Sequence, residues 1–317
     1  MFSRILGTGS YVPEKTITNA DLEKMVDTTD EWIVSRTGMK VRHIAEGSDA
    51  TQKMALRAAK NALAAANIAP ESLDMIIGAT CTPDKVFPSM ACYLQKDLGI
   101  VNHCPAFDIT AACSGFIYAL SIANQYIRSG AAKTILIAAS ESITRLVDWT
   151  DRSTCILFGD GAGAVILSAS NRPGIYSTHL HASSEQSELL HCSHPIAVNK
   201  DKCKLHMNGN PIFKFAVKHL GGIVDETLQA NNMQRSDIDW LIPHQANLRI
   251  IQAMAKKLDM PMDKVVTTIH EHANTSAASI PLALDVAIRD GRVQRGHTLL
   301  LEAFGGGLTW GSALLEY

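Results

Sequence analysis

Apolar residues along the chain fall into two kinds of run that alternate. Short runs rich in Ile and Leu carry almost no polar residue: "MII" at 75–77, "TILIA" at 134–138, "WLI" at 240–242 and "TLLL" at 298–301. That is how a strand covered on both faces reads. Between such runs, apolar residues recur at helical spacing, as Phe116, Leu120, Ala123 and Ile127 do. The alternation predicts an α/β protein with mainly parallel, buried sheets.

The pattern also repeats. "NALAAANIAPESLDMIIGAT" (61–80) and "ETLQANNMQRSDIDWLIPHQ" (226–245) match at an offset of 165, with Leu63, Ala65, Asn67 and Asp74 recurring as Leu228, Ala230, Asn232 and Asp239. At an offset of 161, Ile127, Arg128 and Gly130 recur as Ile288, Arg289 and Gly291. Each copy reads as a helix, a turn and an apolar strand, so the chain reads as two copies of one α/β half, 1–170 and 171–317. Residues 171–210 match nothing in the first half and read as an insertion.

The repeat singles out three polar residues. In "FDITAACSGFIYAL" (107–120), Cys113 stands where a strand gives way to a helix. A helix start favours thiolate over thiol, although a lone cysteine is as often a small buried hydrophobe. The offset of 161 carries Cys113 to Asn274, and the offset of 165 carries the strand end at Ala79 to His244. Ligand sites in open α/β sheets lie at the carboxyl ends of strands, so the three are expected to meet between the halves. Pro281 is expected to open the second helix with Ser279 as its cap, leaving Asn274 in the preceding loop.

Composition narrows the classes. The 317 residues are 46% hydrophobic and 19% charged, with a net charge of −2, which suits a globular protein and gives no reason to expect nucleic acid. The seven cysteines include no CxxC pair, which argues against zinc and thioredoxin chemistry. "MFSRILGTGS" lacks the apolar core of a signal peptide, so reduced thiols in a cytoplasm are expected. The uncharged run 109–127 has spanning length, but its Ser, Thr, Asn and Gln make a buried helix the better reading. "FGDGAGAVIL" (158–167) leads into β-branched residues and reads as a tight turn between strands rather than a phosphate loop.

Several segments resemble the thiolase superfamily, and within it the β-ketoacyl-acyl carrier protein synthase III family, over the whole chain. They are "DTTDEWIVSRTGMKVRH", "AACSGF", "TDRSTCILFGDGAGAV", "PHQANLRII", "HANTSAAS" and "EAFGGGLTWGSALL". The Cys–His–Asn set separates this family from thiolases (Cys, His, Cys) and elongating synthases (Cys, His, His). The resemblance implies a layered αβαβα fold and the initiating condensation of type II fatty acid synthesis. An acyl-CoA primer, acetyl-CoA above all, would react with malonyl-acyl carrier protein in a cytoplasmic homodimer, with no metal or cofactor.

By resemblance, Cys113 is the acylated nucleophile, with its own N–H and that of Gly307 as oxyanion hole, and His244 and Asn274 hold the malonyl thioester. Trp32 and Arg152 would sandwich the adenine of coenzyme A. Arg36 would meet its phosphates, and Thr28, Asn210, Phe213, Ala246 and Asn247 would line the pantetheine tunnel. Lys214, Gln245, Arg249, Lys256 and Lys257 would dock the acidic carrier, and Phe87 would cap the partner's acyl pocket. A papain-like protease shares the Cys–His–Asn order but needs a C-G-[SA]-C-[WY] signature that is missing here. A related condensing enzyme of polyketide metabolism, with another primer, remains the alternative.

Overall fold

The computed structural model describes residues 1–48, 50–193 and 203–317. The first sheet contains β1 (Phe2–Tyr11), β4 (Met75–Ala79), β5 (Ala106–Ile109), β6 (Thr134–Glu141) and β7 (Gly161–Ser170), in the order β1-β7-β6-β4-β5. Two short strands, β2 (Thr16–Thr18) and β3 (Val41–His43), pair beside it. The second sheet contains β8 (Ile175–Ala182), β11 (Trp240–Pro243), β12 (Thr298–Gly305) and β13 (Thr309–Glu316), in the order β11-β12-β13-β8. A hairpin of β9 (Leu190–Cys192) and β10 (Leu205–Met207) stands apart.

The sheets share one layout. In each, a parallel pair (β4 with β6, β11 with β12) continues into antiparallel neighbours. The parallel β4–β5 pair has its counterpart in a single bridge, Leu241 to Val265. Repeated residues do the same work twice. Asn67 and Asn232 both take positive φ, at 53° and 52°, where a helix ends. Asp74 and Asp239 both accept the N–H that opens the neighbouring strand, from Thr134 and from Thr298. Residues 175–182, read as part of an insertion, instead form β8, which holds in the second sheet the place of β1 in the first.

Four helices, α1 (Asn19–Leu22), α2 (Asp30–Thr37), α6 (Arg152–Cys155) and α9 (Ile269–His272), sit in loops. The other six, α3 (Ala50–Ala66), α4 (Met90–Asp97), α5 (Gly115–Arg128), α7 (Gly209–Ala230), α8 (Leu248–Lys257) and α10 (Ser279–Arg289), build the layers. Strand residues alternate strictly between them. Ile135, Ile137 and Ala139 of β6 and Leu299, Leu301 and Ala303 of β12 face a central core with α5 and α10. Leu136 and Ala138 face outward to α3, while Leu300 and Phe304 face outward to α7 and α8. The order is therefore helix, sheet, helix, sheet, helix, an αβαβα sandwich. The uncharged run 109–127 ends β5 and fills α5 in the middle layer. Among the described residues no helix is long and apolar enough to cross a membrane.

The glycines of "FGDGAGAVIL" are not a turn between strands. Gly161 and Gly163 lie within β7, and a Cβ on Gly163 would stand 2.6 Å from the Leu282 nitrogen of α10. A Cβ on Gly159 would stand 2.7 Å from the His272 carbonyl oxygen. Bare backbone here lets the second half close onto the first.

Candidate active site

Past the end of β5 the chain turns sharply. Ala112 takes a positive φ of 46°, and residues Ala112–Ser114 make one 3₁₀ turn before α5 begins at Gly115. Cys113 sits in that turn. At the other pseudo-equivalent point Ala273 has φ 55° and precedes Asn274. Such backbone costs about 1–3 kcal/mol per residue and gathers at functional sites. The Asn274 segment is clamped to the first half: its N–H donates to the Leu157 carbonyl at 2.9 Å, and its carbonyl accepts from Gly159 at 3.1 Å.

His244 follows β11 directly, and its N–H donates to the Glu302 carbonyl at 2.8 Å. Cys113, His244 and Asn274 line one cavity of about 760 Å³, which also reaches the exposed Arg36 and Arg249. Apolar side chains such as Ile143, Leu157, Leu205 and Phe304 line it between.

Hydrogen bonds set the direction of both donors. The Asn274 Oδ1 accepts from the Ser276 N–H at 2.9 Å, which leaves the amide NH₂ as the free end. The His244 Nδ1 lies 2.5 Å from the Ser279 hydroxyl, and that oxygen also accepts from the Gln245 N–H at 3.4 Å. Among the described residues the Ser279 hydroxyl has no other acceptor for its hydrogen, so it donates to Nδ1, and Nε2 then carries the ring proton. Burial pushes the His244 pKa down to about 3, so the ring is neutral. Ser279, expected as a helix cap, is the first residue of α10 and makes no cap bond; its hydroxyl belongs to His244.

The thiol differs from expectation. Burial first, then the nearby Glu141 carboxylate, push the Cys113 pKa up to about 11, against a hydrogen bond from Ser276 that lowers it. The α-helix proper starts two residues after the sulfur, and burial outweighs the hydrogen bonds that favour the thiolate. Glu141, at the end of β6, is the group that sequence reasoning missed. It is buried and accepts from Thr80, Cys81, Thr82 and Ser276. An acidic residue ending an apolar strand was the one available signal.

Other expected residues are placed as follows. Trp32, Arg36, Asn210, Phe213, Ala246 and Asn247 line the cavity, as does Arg249, whose guanidinium lies 5.1 Å over the Phe213 ring. Arg152 lies directly on Trp32 at 4.9 Å and donates to the Asp27 carbonyl, so a planar base enters between them only by displacing it. Thr28 does not line the cavity, and its hydroxyl is buried. Gly306, not Gly307, lines the cavity, and a Cβ on Gly305 would stand 2.7 Å from the Cys113 nitrogen.

Gln245 is buried, with its side chain spent on Pro243, Val266 and Thr268, so it offers no docking surface. Lys257 is tied to Asp225 of α7 at 2.6 Å. Lys214 and Lys256 are exposed. Phe87 is 82% exposed and lines no part of its own chain's cavity. Among the described residues no group of side chains is placed to hold a metal ion.

Residues 107–184 match the family model for 3-oxoacyl-(acyl-carrier-protein (ACP)) synthase III, and residues 228–317 match the model for its C terminal. A beta-ketoacyl-(acyl-carrier-protein) synthase III of Thiobacillus denitrificans is 57% identical over 317 residues, covering 100% of this chain and 99% of that protein. The chain belongs to the 3-oxoacyl-(acyl-carrier-protein) synthase III family. A crystal structure of the synthase III from Aquifex aeolicus superposes with a TM-score of 0.95 at 49% identity, covering 99% of this chain and 100% of that one. A priming β-ketosynthase from a polyketide pathway superposes with a TM-score of 0.94 at 36% identity, covering 99% and 96%. As a family member, the chain is an acyl-transferring, condensing enzyme with the thiolase fold.

Proposed function

We propose that this synthase III family member starts type II fatty acid synthesis by joining an acetyl primer from acetyl-CoA to malonyl-acyl carrier protein. The observation that carries the reading is one cavity holding a thiol beside two donors whose directions are fixed from behind. In the first half-reaction the Cys113 sulfur attacks the thioester carbonyl. The oxyanion that forms is met by the Cys113 N–H and by the backbone of the Gly305–Gly306 turn that abuts it. Coenzyme A leaves as the thiol.

In the second half-reaction the malonyl carbonyl oxygen sits between His244 Nε2–H and Asn274 Nδ2–H. Loss of CO2 throws negative charge onto that oxygen, and the two neutral donors stabilise it as it develops. A cationic His244 would bind the malonyl carboxylate and hold it back; a neutral one does not. The carbanion then attacks the acyl carbon on Cys113, and acetoacetyl-carrier protein departs.

In this reading Trp32, Arg36 and Arg152 hold the nucleotide end of coenzyme A, with Asn210, Phe213, Ala246 and Asn247 along its tail. Arg249, Lys256 and Lys214 meet the acidic carrier. Two copies form the working dimer, with Phe87 reaching the partner's cavity. Acyl-CoA and carrier protein are cytoplasmic pools, so the enzyme works there. A second reading rests on the likeness to the polyketide priming synthase, and differs in the primer.

Intact-mass spectrometry after mixing with acetyl-CoA tests the reading. One acetyl group on Cys113, discharged as acetoacetyl-carrier protein on adding malonyl-carrier protein, is expected. No adduct with any acyl-CoA refutes the acyl-transfer step, and a preference for longer or branched primers moves the chain to the second reading.

A further inference from the structure

Asn274 serves a malonyl carbonyl only if its amide points one way, and a flexible side chain does not choose that way by itself. Its backbone is fixed by the first half, through Leu157 and Gly159. Among the described residues its amide is held by one bond, from the Ser276 N–H to Oδ1 at 2.9 Å. Asparagine closes such a bond to the residue two ahead in many turns. The bond is only as firm as that residue. Here the residue is strained: Ser276 has φ 51°, a region that serine seldom adopts unless its surroundings hold it there.

What holds Ser276 comes from the other half. Its hydroxyl donates to Oε1 of Glu141, the last residue of β6, at 3.3 Å and across 135 residues of sequence. Glu141 is fully buried and is anchored in turn to the segment after β4. The Thr80 and Thr82 hydroxyls reach its Oε2 at 3.2 and 2.5 Å, and the Cys81 N–H lies 3.2 Å from both oxygens. Each threonine oxygen also accepts a backbone N–H, from Thr82 and from Ser142. Among the described residues neither hydroxyl has another acceptor for its hydrogen than Glu141. The Cys81 thiol completes the shell at 3.3 Å. Burying a carboxylate among neutral partners is a poor way to stabilise a fold, and such groups gather at functional sites.

We propose that Glu141 is a positioning residue for the decarboxylation step: through Ser276 it fixes the direction in which Asn274 offers its amide hydrogens. This rests on the role given to Asn274 above. The contacts run without a gap from the segment after β4 to Glu141, to the Ser276 hydroxyl, and from the Ser276 N–H to Asn274 Oδ1. The NH₂ is left as the free end. Glu141 touches no substrate. It removes the amide orientations in which Oδ1, an acceptor, would face the oxygen that gains charge as CO2 leaves. A donor aimed beforehand needs no reorganisation at that moment. Each of the two donors is thus set from behind, His244 by Ser279 and Asn274 by Ser276 and Glu141.

The experiment follows CO2 release from a labelled malonyl thioester by pre-acetylated, full-length enzyme. Ser276→Ala removes the hydroxyl and keeps the N–H. It is expected to lower kcat for CO2 release by roughly tenfold or more, the worth of one hydrogen bond to a charged group, with a smaller change in KM. Added to Asn274→Ala, it is expected to cost nothing further, because the residue it acts through is gone. Glu141→Gln is expected to lower release less, since its one amide oxygen still takes part of the donors that the carboxylate shares between two. Acetyl uptake by Cys113, timed separately by rapid quench and mass, is expected to fall by less than CO2 release in either variant.

A loss from Ser276→Ala that is as large in the Asn274→Ala background as in the native one would overturn the proposal. So would native CO2 release in Ser276→Ala or in Glu141→Gln, or acetyl uptake reduced as far as release, which means a distorted cavity. If Ser276→Ala does not fold, Ser276→Gly carries the same comparison, because glycine is at ease with φ 51°. If Glu141→Gln does not fold, the Ser276 and Asn274 cycle decides. Unchanged CO2 release in Asn274→Ala alone, or no acetyl uptake by the native protein, instead overturns the underlying reading.

Discussion

At the scale of single residues, the site divides its labour. Acyl transfer uses the sulfur and backbone N–H groups, whereas decarboxylation uses two side-chain donors. His244→Ala or Asn274→Ala should therefore leave most acetyl transfer to Cys113 intact. Either should cut CO2 release from a malonyl thioester by roughly 10²–10³-fold, the usual effect of one lost oxyanion donor. The double variant should lose less than the product of the two, because both act on one oxygen. If His244→Ala abolishes acetylation as fully as decarboxylation, the ring is a base for Cys113 and this division is wrong. The low pKa of His244 adds a pH prediction. Its folded value, about 3, lies below the ordinary histidine value of 6.5, so the ring stays neutral as pH falls from 7 to 4. CO2 release by pre-acetylated enzyme should show no acid limb near 6.5; a limb there would place a cationic His244 in the cycle.

At the scale of elements, two strands carry features that no isolated strand would tolerate. Gly163 in β7 presses on α10, with a Cβ at 2.6 Å from the Leu282 nitrogen. Gly163→Val should lower stability by about 1–3 kcal/mol or more, the usual effect of overpacking. It should also loosen the Asn274 loop ahead of α10. Denaturant midpoints read the first effect; a midpoint equal to the native one would mean the helix shifts freely.

On β12, Glu302 is buried, and neither carboxyl oxygen finds a hydrogen-bond partner among the described residues. Burial raises its pKa from 4.5 to about 8. The sign follows directly: the neutral carboxyl is tolerated fully below pH 4.5, and stability is lost as pH rises through 8. Glu302→Gln, which never ionises, should gain on the native protein by a few kcal/mol, roughly, between pH 5 and 9. A melting-temperature difference that stays flat across that range would show that Glu302 does not titrate there.

At the scale of the whole molecule, the two halves and the two ends of the cavity matter. Arg249 is exposed and lines the cavity, and a rim charge acts chiefly on association rate. Arg249→Glu should weaken turnover with malonyl-carrier protein at low salt while acetyl-CoA still acylates Cys113. Equal turnover at low salt would mean the carrier docks elsewhere. Phe87 and Val86 stand 82% and 64% exposed, side by side, on the loop ahead of α4, and β5 is a sheet edge. Phe87→Asp should shift the protein toward monomer in analytical ultracentrifugation, and no shift would remove Phe87 from the dimer contact.

The amino-acid order by itself determined the strands and helices, since their burial writes a period of two or 3.6 into the choice of residue. It also determined the pairing of Cys113 with Asn274, because duplicated segments keep their offsets. Turn chemistry was legible for the same local reason at Asn67, Asn232, Gly130 and Gly291, which all take positive φ. What only the tertiary structure decided depends on desolvation and on contacts between distant segments. The thiol pKa moved up instead of down because burial and the Glu141 carboxylate outweighed the hydrogen bonds that lower it. Gln245 turned inward although it lies between two cavity-lining neighbours, because Pro243, Val266 and Thr268 offered its amide partners that spacing does not reveal. Ser276 met Glu141 only when the turn ahead of α10 closed onto β6, and Ser279 met His244 only when α10 packed against β11. Sequence separation of up to 135 residues hides that contact. Local periodicity reports what a segment buries; it carries no record of which polar groups meet once it is buried.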